Sequence, residues 1–123
     1  MKRLLVTGSR EFGDHDLALT ALSEARWTLG PEFIVVHGAA RGADRLLAEM
    51  AVTRGLVTEA HPADWRAHGR RAGFMRNQAM VDAGADLCVA LLVAGLECRG
   101  TRHCAARAAA AGIPVRWYTQ EAA

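Results

Sequence analysis

Short apolar runs alternate with segments in which apolar residues recur every three or four positions, and this alternation repeats along the chain. Lys2 to Thr7 is a short apolar run ending at Gly8-Ser9-Arg10, which predicts a buried first strand and a loop. Leu17, Ala18, Ala21, Leu22 and Ala25 share one helical face, with Asp14 or Asp16 at its start and Gly30-Pro31 at its end. Phe33 to His37 predicts the second strand. Ala43, Leu46, Leu47, Met50 and Ala51 then fall at i, i+3, i+4, i+7 and i+8, an amphipathic helix ending near Arg54-Gly55. A third, weaker strand spans Leu56 to His61 and is closed by Pro62. The polar stretch Ala63 to Gly69 reads as a connection into a long helix with Ala72, Met75, Ala79, Met80 and Ala83 on one side and Gly84 as its cap. Asp86 to Leu92 predicts a fourth strand apolar on both faces, an alanine-rich helix runs from about Arg99 to Ala111, and Pro114 to Tyr118 predicts a fifth strand. The tail Thr119 to Ala123 is expected to be loose.

Five strands alternating with four helices predict an α/β fold, a Rossmann-like three-layer sandwich whose five-stranded parallel sheet has the order 3-2-1-4-5. Ligands of such sheets sit beyond the carboxyl ends of the strands, where the order reverses between strands one and four. Gly8-Ser9-Arg10, Gly38 to Asp44, Asp64-Trp65 and Arg99-Gly100-Thr101 all follow strands and should share one crevice.

At 123 residues the chain has the length of one domain, 1–123, burying roughly two thirds of its unfolded surface. No apolar run is long enough to span a bilayer, and Met1-Lys2-Arg3 leads into no signal-peptide core, so a soluble, cytoplasmic protein is expected. Three cysteines, Cys88, Cys98 and Cys104, without framework spacing fit a reducing compartment. A formal net charge of +2 argues against a general nucleic-acid coat. Fourteen of the fifteen lysines and arginines are arginine, the residue suited to bidentate phosphate contacts, although a compositional bias gives the same count.

The strand, glycine loop and helix of Phe33 to Met50 have the order of a phosphate site. Gly38 and Gly42 admit ligand oxygens to the backbone, the first-turn amides of the helix point at them, and Arg41 adds a planar cation. An ordinary tight strand-to-helix turn would need the same glycines. The dinucleotide fingerprint is incomplete, because Gly8-Ser9-Arg10-Glu11-Phe12-Gly13 has Arg10 in place of its second glycine and His37 stands where a ribose-binding acid belongs. There is no P-loop, no metal-ligand spacing among His61, His68, His103, Cys98 and Cys104, and no nucleophile-elbow context for Ser9. Neither a metal nor a cofactor is expected. Arg70 and Arg71 lie near a helix start, where the dipole favours an anion, though a solvated basic face reads the same way. Arg76 sits at the edge of the apolar stripe and needs a partner or a ligand. Trp65 can stack on a base or plug the domain edge.

These segments together resemble the SLOG superfamily, in particular its YspA-type group. The resemblance rests on Val6-Thr7-Gly8-Ser9-Arg10 with Phe12, His37 to Asp44, Ala63-Asp64-Trp65 with Gly69, Ala72-Gly73 with Arg76-Asn77, Arg99-Gly100-Thr101, and Ala111 to Val115. It implies a nucleotide-derived small-molecule ligand. The superfamily includes the Lonely Guy phosphoribohydrolases, whose PGGxGTxxE loop is matched here by Gly100-Thr101 and whose preceding-helix arginine is matched by Arg76. No PGG stands before this pair, and the glutamate position falls on Cys104. It also includes DNA-processing protein A, a single-stranded DNA binder whose loop is similar to Gly38 to Asp44. Homodimers occur in the superfamily and are an expectation here.

Three functions stay open: a sensor or processing domain for a nucleotide or nucleotide-derived phosphate ligand, an N-glycosidase on a nucleoside monophosphate, and single-stranded DNA binding, the last disfavoured by near-neutral charge. The ligand-binding candidates are Gly8, Ser9, Arg10, Gly38, Ala39, Arg41, Gly42, Asp44, Asp64, Arg76, Asn77, Gly100 and Thr101. Phosphate is assigned to Gly38, Ala39, Arg41, Gly42 and Thr101, ribose hydroxyls to Asp44 or Asp64. Arg76 and Asp44 are the catalytic candidates; a hydrolase without the family glutamate would need Asp44, Asp64 or Glu97.

Overall fold

The computed structural model describes residues 1–122. Its elements are β1 (Lys2–Gly8), α1 (His15–Leu29), β2 (Phe33–His37), α2 (Ala43–Thr53), β3 (Val57–Ala60), α3 (Trp65–His68), a 3-10 turn (Gly69–Arg71), α4 (Ala72–Asp82), β4 (Leu87–Val93), α5 (Arg99–Ala110) and β5 (Val115–Gln120). All the strands pair in parallel in the order β3-β2-β1-β4-β5, as the alternating pattern predicts. Period-two alternation divides each central strand between two cores. Leu4 and Val6 of β1, Phe33 and Val35 of β2, and Leu87, Val89 and Leu91 of β4 face α1 and α2, meeting Ala18, Ala21, Leu22, Ala43 and Leu47. Leu5, Val36 and Cys88 face the other way, towards Met80 and Val81 of α4 and Cys104 and Ala108 of α5. Two helices therefore cover each face. The edge strand β3 has no buried residue, which is why its pattern in the sequence is weak.

The α1 start belongs to Asp14, whose side chain accepts the Leu17 N–H at 3.0 Å, with Asp16 in the first turn. Around α4 the structure departs from the sequence pattern. Residues 63–69 are not a plain connection: Asp64 accepts the Ala67 N–H at 3.0 Å and caps α3, and a 3-10 turn then carries Arg70 and Arg71. The buried positions of α4 are Ala72, Asn77, Met80 and Val81, whereas Met75, Ala79 and Ala83 are exposed. Counting only apolar residues rotates the stripe, because the buried amide of Asn77 occupies the centre of the true inner face. The tail is shorter than expected too. Thr119 and Gln120 belong to β5, and Gln120 Oε1 accepts the N–H groups of Gly13 and Asp14 at 2.7 and 2.9 Å. Ala123 lies outside the described residues. Among them, no helix is long and apolar enough to cross a membrane.

Candidate ligand site

A cavity of about 430 Å³ opens at the carboxyl ends of β1 and β4, where the strand order reverses. Its walls bring together Gly8, Ser9 and Arg10 after β1, Asp44 of α2, Arg76 and Asn77 of α4, and Gly100 and Thr101 of α5. A second hollow of about 330 Å³ adjoins it and shares Arg10, Ala40, Trp65 and Arg76; Gly38, Ala39 and Arg41 line this hollow instead. Gly42 and Asp64 line neither.

The expected phosphate cradle at the start of α2 is occupied by the protein itself. Asp44 Oδ2 accepts the Gly38 N–H at 3.0 Å and the Ala40 N–H at 3.4 Å, and the Ala39 N–H donates to His37 Nδ1 at 3.0 Å. The Ala43 N–H donates to Ser9 O at 3.2 Å. Arg41 pairs with Glu11 at 2.9 Å on the surface. The glycines serve the same internal packing: a Cβ on Gly38 would overlap the Arg76 guanidinium, and one on Gly42 would meet the Ser9 and Arg10 carbonyls at 2.5 Å. Gly42 also has φ +78°, a conformation costly for any side chain. Loop-to-loop closure accounts for both glycines, and the Gly38 and Ala39 amides and Arg41 already have partners within the protein. Asp64, expected to face ribose hydroxyls, caps α3 through Oδ1.

The other helix start in the crevice is built differently. Cys98, with φ 51° and ψ 47°, precedes α5, no side chain caps the helix, and its first turn holds no acidic residue. Its orphan amides and the positive end of its dipole suit an anion. Asn77 ties this turn to α4, its Nδ2 donating to Gly100 O at 3.1 Å while its Oδ1 accepts from Arg76 Nε at 3.0 Å. Arg76 also donates to the Gly38 and His61 carbonyls, so one guanidinium bridges the loop after β2, the end of β3 and α4. Arg10 lies 5.5 Å over the Trp65 ring, a cation–π contact on the shared wall of the two spaces.

Asp44 is only 5% exposed, and burial pushes its carboxyl up to about 6 against the opposing fields of Arg76 and Arg10 and the two amide hydrogen bonds. Of the three carboxylates considered for hydrolysis, Asp44 lines the cavity, whereas Asp64 and Glu97 do not. Cys104, at the family glutamate position, is buried, and desolvation raises its thiol to about 11, so it supplies no anion near neutrality.

Several wall residues carry no sequence signal. Phe74 and Leu96, among the exposed large apolar side chains, stand beside Trp65 at the mouth of the cavity. Their exposure follows from the true phase of α4 and the path of the β4–α5 loop. Cys98 lines the wall through a backbone conformation that its residue type does not announce. Arg70 and Arg99 were visible as loop and helix-start cations.

Gene 61 protein of Mycobacterium phage D29 is 42% identical over 120 residues, covering 94% of each chain. No solved structure matches significantly. The profile of the YspA, cpYpsA-related SLOG family (YAcAr) matches residues 2–68, from β1 through α3 and so including the Ser9, Arg10 and Asp44 side of the cavity. With more than half of its length inside that match, this chain belongs to the YspA, cpYpsA-related SLOG family.

Proposed function

We propose that the protein binds a nucleotide or nucleotide-derived phosphate ligand in the cavity between β1 and β4, with the phosphate at the first turn of α5. The observation that carries this reading is an imbalance of charge. Arg10, Arg70, Arg76 and Arg99 line one cavity with an uncapped helix start, against two carboxylates, Asp44 and Glu11, the latter already paired with Arg41. The volume falls within the roughly 300–1,000 Å³ of small-molecule sites. The rim formed by Trp65, Phe74 and Leu96 gives a planar apolar group somewhere to rest.

The test is thermal shift of the purified protein with a panel of nucleoside monophosphates, NAD derivatives and a DNA oligomer, with products read by mass spectrometry. A mononucleotide or NAD derivative should raise the melting temperature. Arg99→Ala should weaken that ligand about 10- to 100-fold, the worth of one charge-assisted hydrogen bond, while Arg41→Ala should leave it nearly unchanged. Equal affinities for wild type and Arg99→Ala would remove the phosphate from α5. DNA binding with steep salt dependence and no competition by mononucleotides would replace the reading.

A second reading, N-glycosidic hydrolysis, is favoured by Asp44 alone: a buried carboxyl raised to about 6 can exist as the acid near neutral pH and protonate a departing base. Free base in the same incubations, lost in Asp44→Asn, supports it.

A further inference from the structure

The two oxygens of Asp44 have unequal surroundings. Oδ2 accepts two backbone N–H groups from the loop after β2, whereas Oδ1 is closed off from solvent and has no hydrogen-bond partner among the described residues. The residue nevertheless forms part of the wall of the cavity between β1 and β4. An ionised carboxylate with one bare oxygen in such a place is held by charge at a distance, since neither nearby arginine makes an ion pair with it. Arg76 is engaged with the Gly38 and His61 carbonyls and Asn77, and Arg10 lies over Trp65.

Cys104 and His37, the other titratable groups beside it, add no positive charge near neutrality. Cys104, facing Asp44 from α5, stays a neutral thiol. His37, at the end of β2, has its pKa lowered by burial and by His61 and Arg76, and its Nδ1 accepts the Ala39 N–H, the pattern of a neutral ring. Arg41 on the same loop is paired with Glu11. Arg70 and Arg99 line the cavity with Arg10 and Arg76, so an entering anion would sit among the cations whose field acts on Asp44.

We propose that ligand binding here is proton-linked: an anion seated among Arg10, Arg76 and the first turn of α5 draws one proton from solvent onto the unpartnered oxygen of Asp44. An O–H bond forms at Oδ1, the carboxylate becomes a carboxylic acid, and no other bond changes. The anion offsets the arginine fields and adds a like charge, and both effects raise the pKa of a buried carboxyl by about one to three units. Asp44 already stands at about 6 without ligand, so a displacement of that size carries it through neutrality. The protein would therefore hold its ligand more tightly in mildly acidic than in mildly alkaline solution.

This inference rests on the reading of the cavity as an anion site, and the experiment separates the two. Inorganic sulfate is the probe, because its charge is constant over the range of interest. Its affinity is measured by calorimetry from about pH 6 to about pH 8, in two buffers of different ionisation enthalpy, for wild type and Asp44→Asn; the Asn carbonyl can still accept the Gly38 and Ala40 N–H groups. The Asp44 carboxyl is also titrated by carbon NMR in wild type with and without saturating sulfate, a reading that does not depend on the variant. The expected result is uptake of close to one proton, an affinity falling up to about tenfold per pH unit in wild type, a flatter profile in Asp44→Asn, and an Asp44 titration moved up by about one unit or more. Sulfate binding with the same pH profile in both proteins and an unmoved Asp44 titration would overturn the proton linkage and leave the anion site standing. Absence of sulfate binding at every pH would overturn both.

Discussion

At the end of β1, Gly8 lies so close to α2 that a Cβ there would overlap that of Ala43, with the Leu91 Cβ and carbonyl both 3.1 Å away. All three neighbours are fixed by the backbone, a carbonyl oxygen and two Cβ atoms, so the site cannot relax by a rotamer change. Gly8→Ala should therefore cost about 1–3 kcal/mol, read as a lower urea midpoint at unchanged slope. Asp44 carries the opposite expectation. Its carboxyl is raised from 3.8 to about 6, so it favours the folded state fully below the ordinary value and loses that contribution as pH rises through about 6. A displacement of that size corresponds to about 3 kcal/mol. Asp44→Asn should then be more stable than wild type at about pH 8, by up to that amount, with the difference closing towards about pH 4; denaturant melts at the two pH values check it. These residues also mark the limit of what the sequence discloses. Glycines at 38 and 42 announce that something approaches the backbone closely, and a guanidinium or a neighbouring carbonyl requires the same missing Cβ as a phosphate. Asp44 reads as a ligand group, yet half of its carboxylate serves its own loop, which only the fold of the intervening residues 39–43 decides.

Between elements, Arg3 links strands that are not neighbours. From β1 it reaches across β2 to Glu59 on β3, with Nη1 and Nη2 donating to the two carboxylate oxygens at 3.1 and 2.6 Å, while Nε donates to Gly84 O before β4 at 2.8 Å. Glu59 is drawn down to about 2 first by Arg3 and then by His61, whose Nε2 lies 2.7 Å from Oε2. Because the folded value is depressed, this contribution is present above the ordinary carboxylate value and is lost as pH falls through about 2. Glu59→Gln should flatten the acid limb of the thermal stability profile between about pH 5 and about pH 2. Solvent screening at a side chain 37% exposed holds the effect to about 1 kcal/mol. Helix α1 was legible because its buried positions are all apolar, and α2 because Ala43, Leu47 and Ala51 keep the helical spacing despite the buried Asp44 beside them. In α4 the inner face includes Asn77, and hydrophobic periodicity has no means of marking a buried amide whose partners, Gly100 and Arg76, come from a neighbouring helix and from the preceding residue.

For the molecule as a whole, the strand order and the place of the crevice follow from alternation and handedness, and both agree with the structure. What the chain pattern leaves open is the division of labour between two helix starts in one crevice. Neither has a side-chain cap, but at α2 the Ala43 N–H goes to the Ser9 carbonyl and Asp44 takes the amides of the preceding loop, whereas α5 opens with no acidic residue and with arginines around it. That difference, invisible at the level of glycine spacing, is why the proposed anion site lies at α5 and not at α2. A parallel sheet also separates the two ends of the protein by purpose. Every segment of the cavity between β1 and β4 hangs from the carboxyl ends of the strands, whereas the turn at Gly55, exposed and with open space where a Cβ would stand, lies at the amino ends. Linkers, labels or a grafted peptide can lengthen that far rim while the residues around Arg76 keep their mutual spacing.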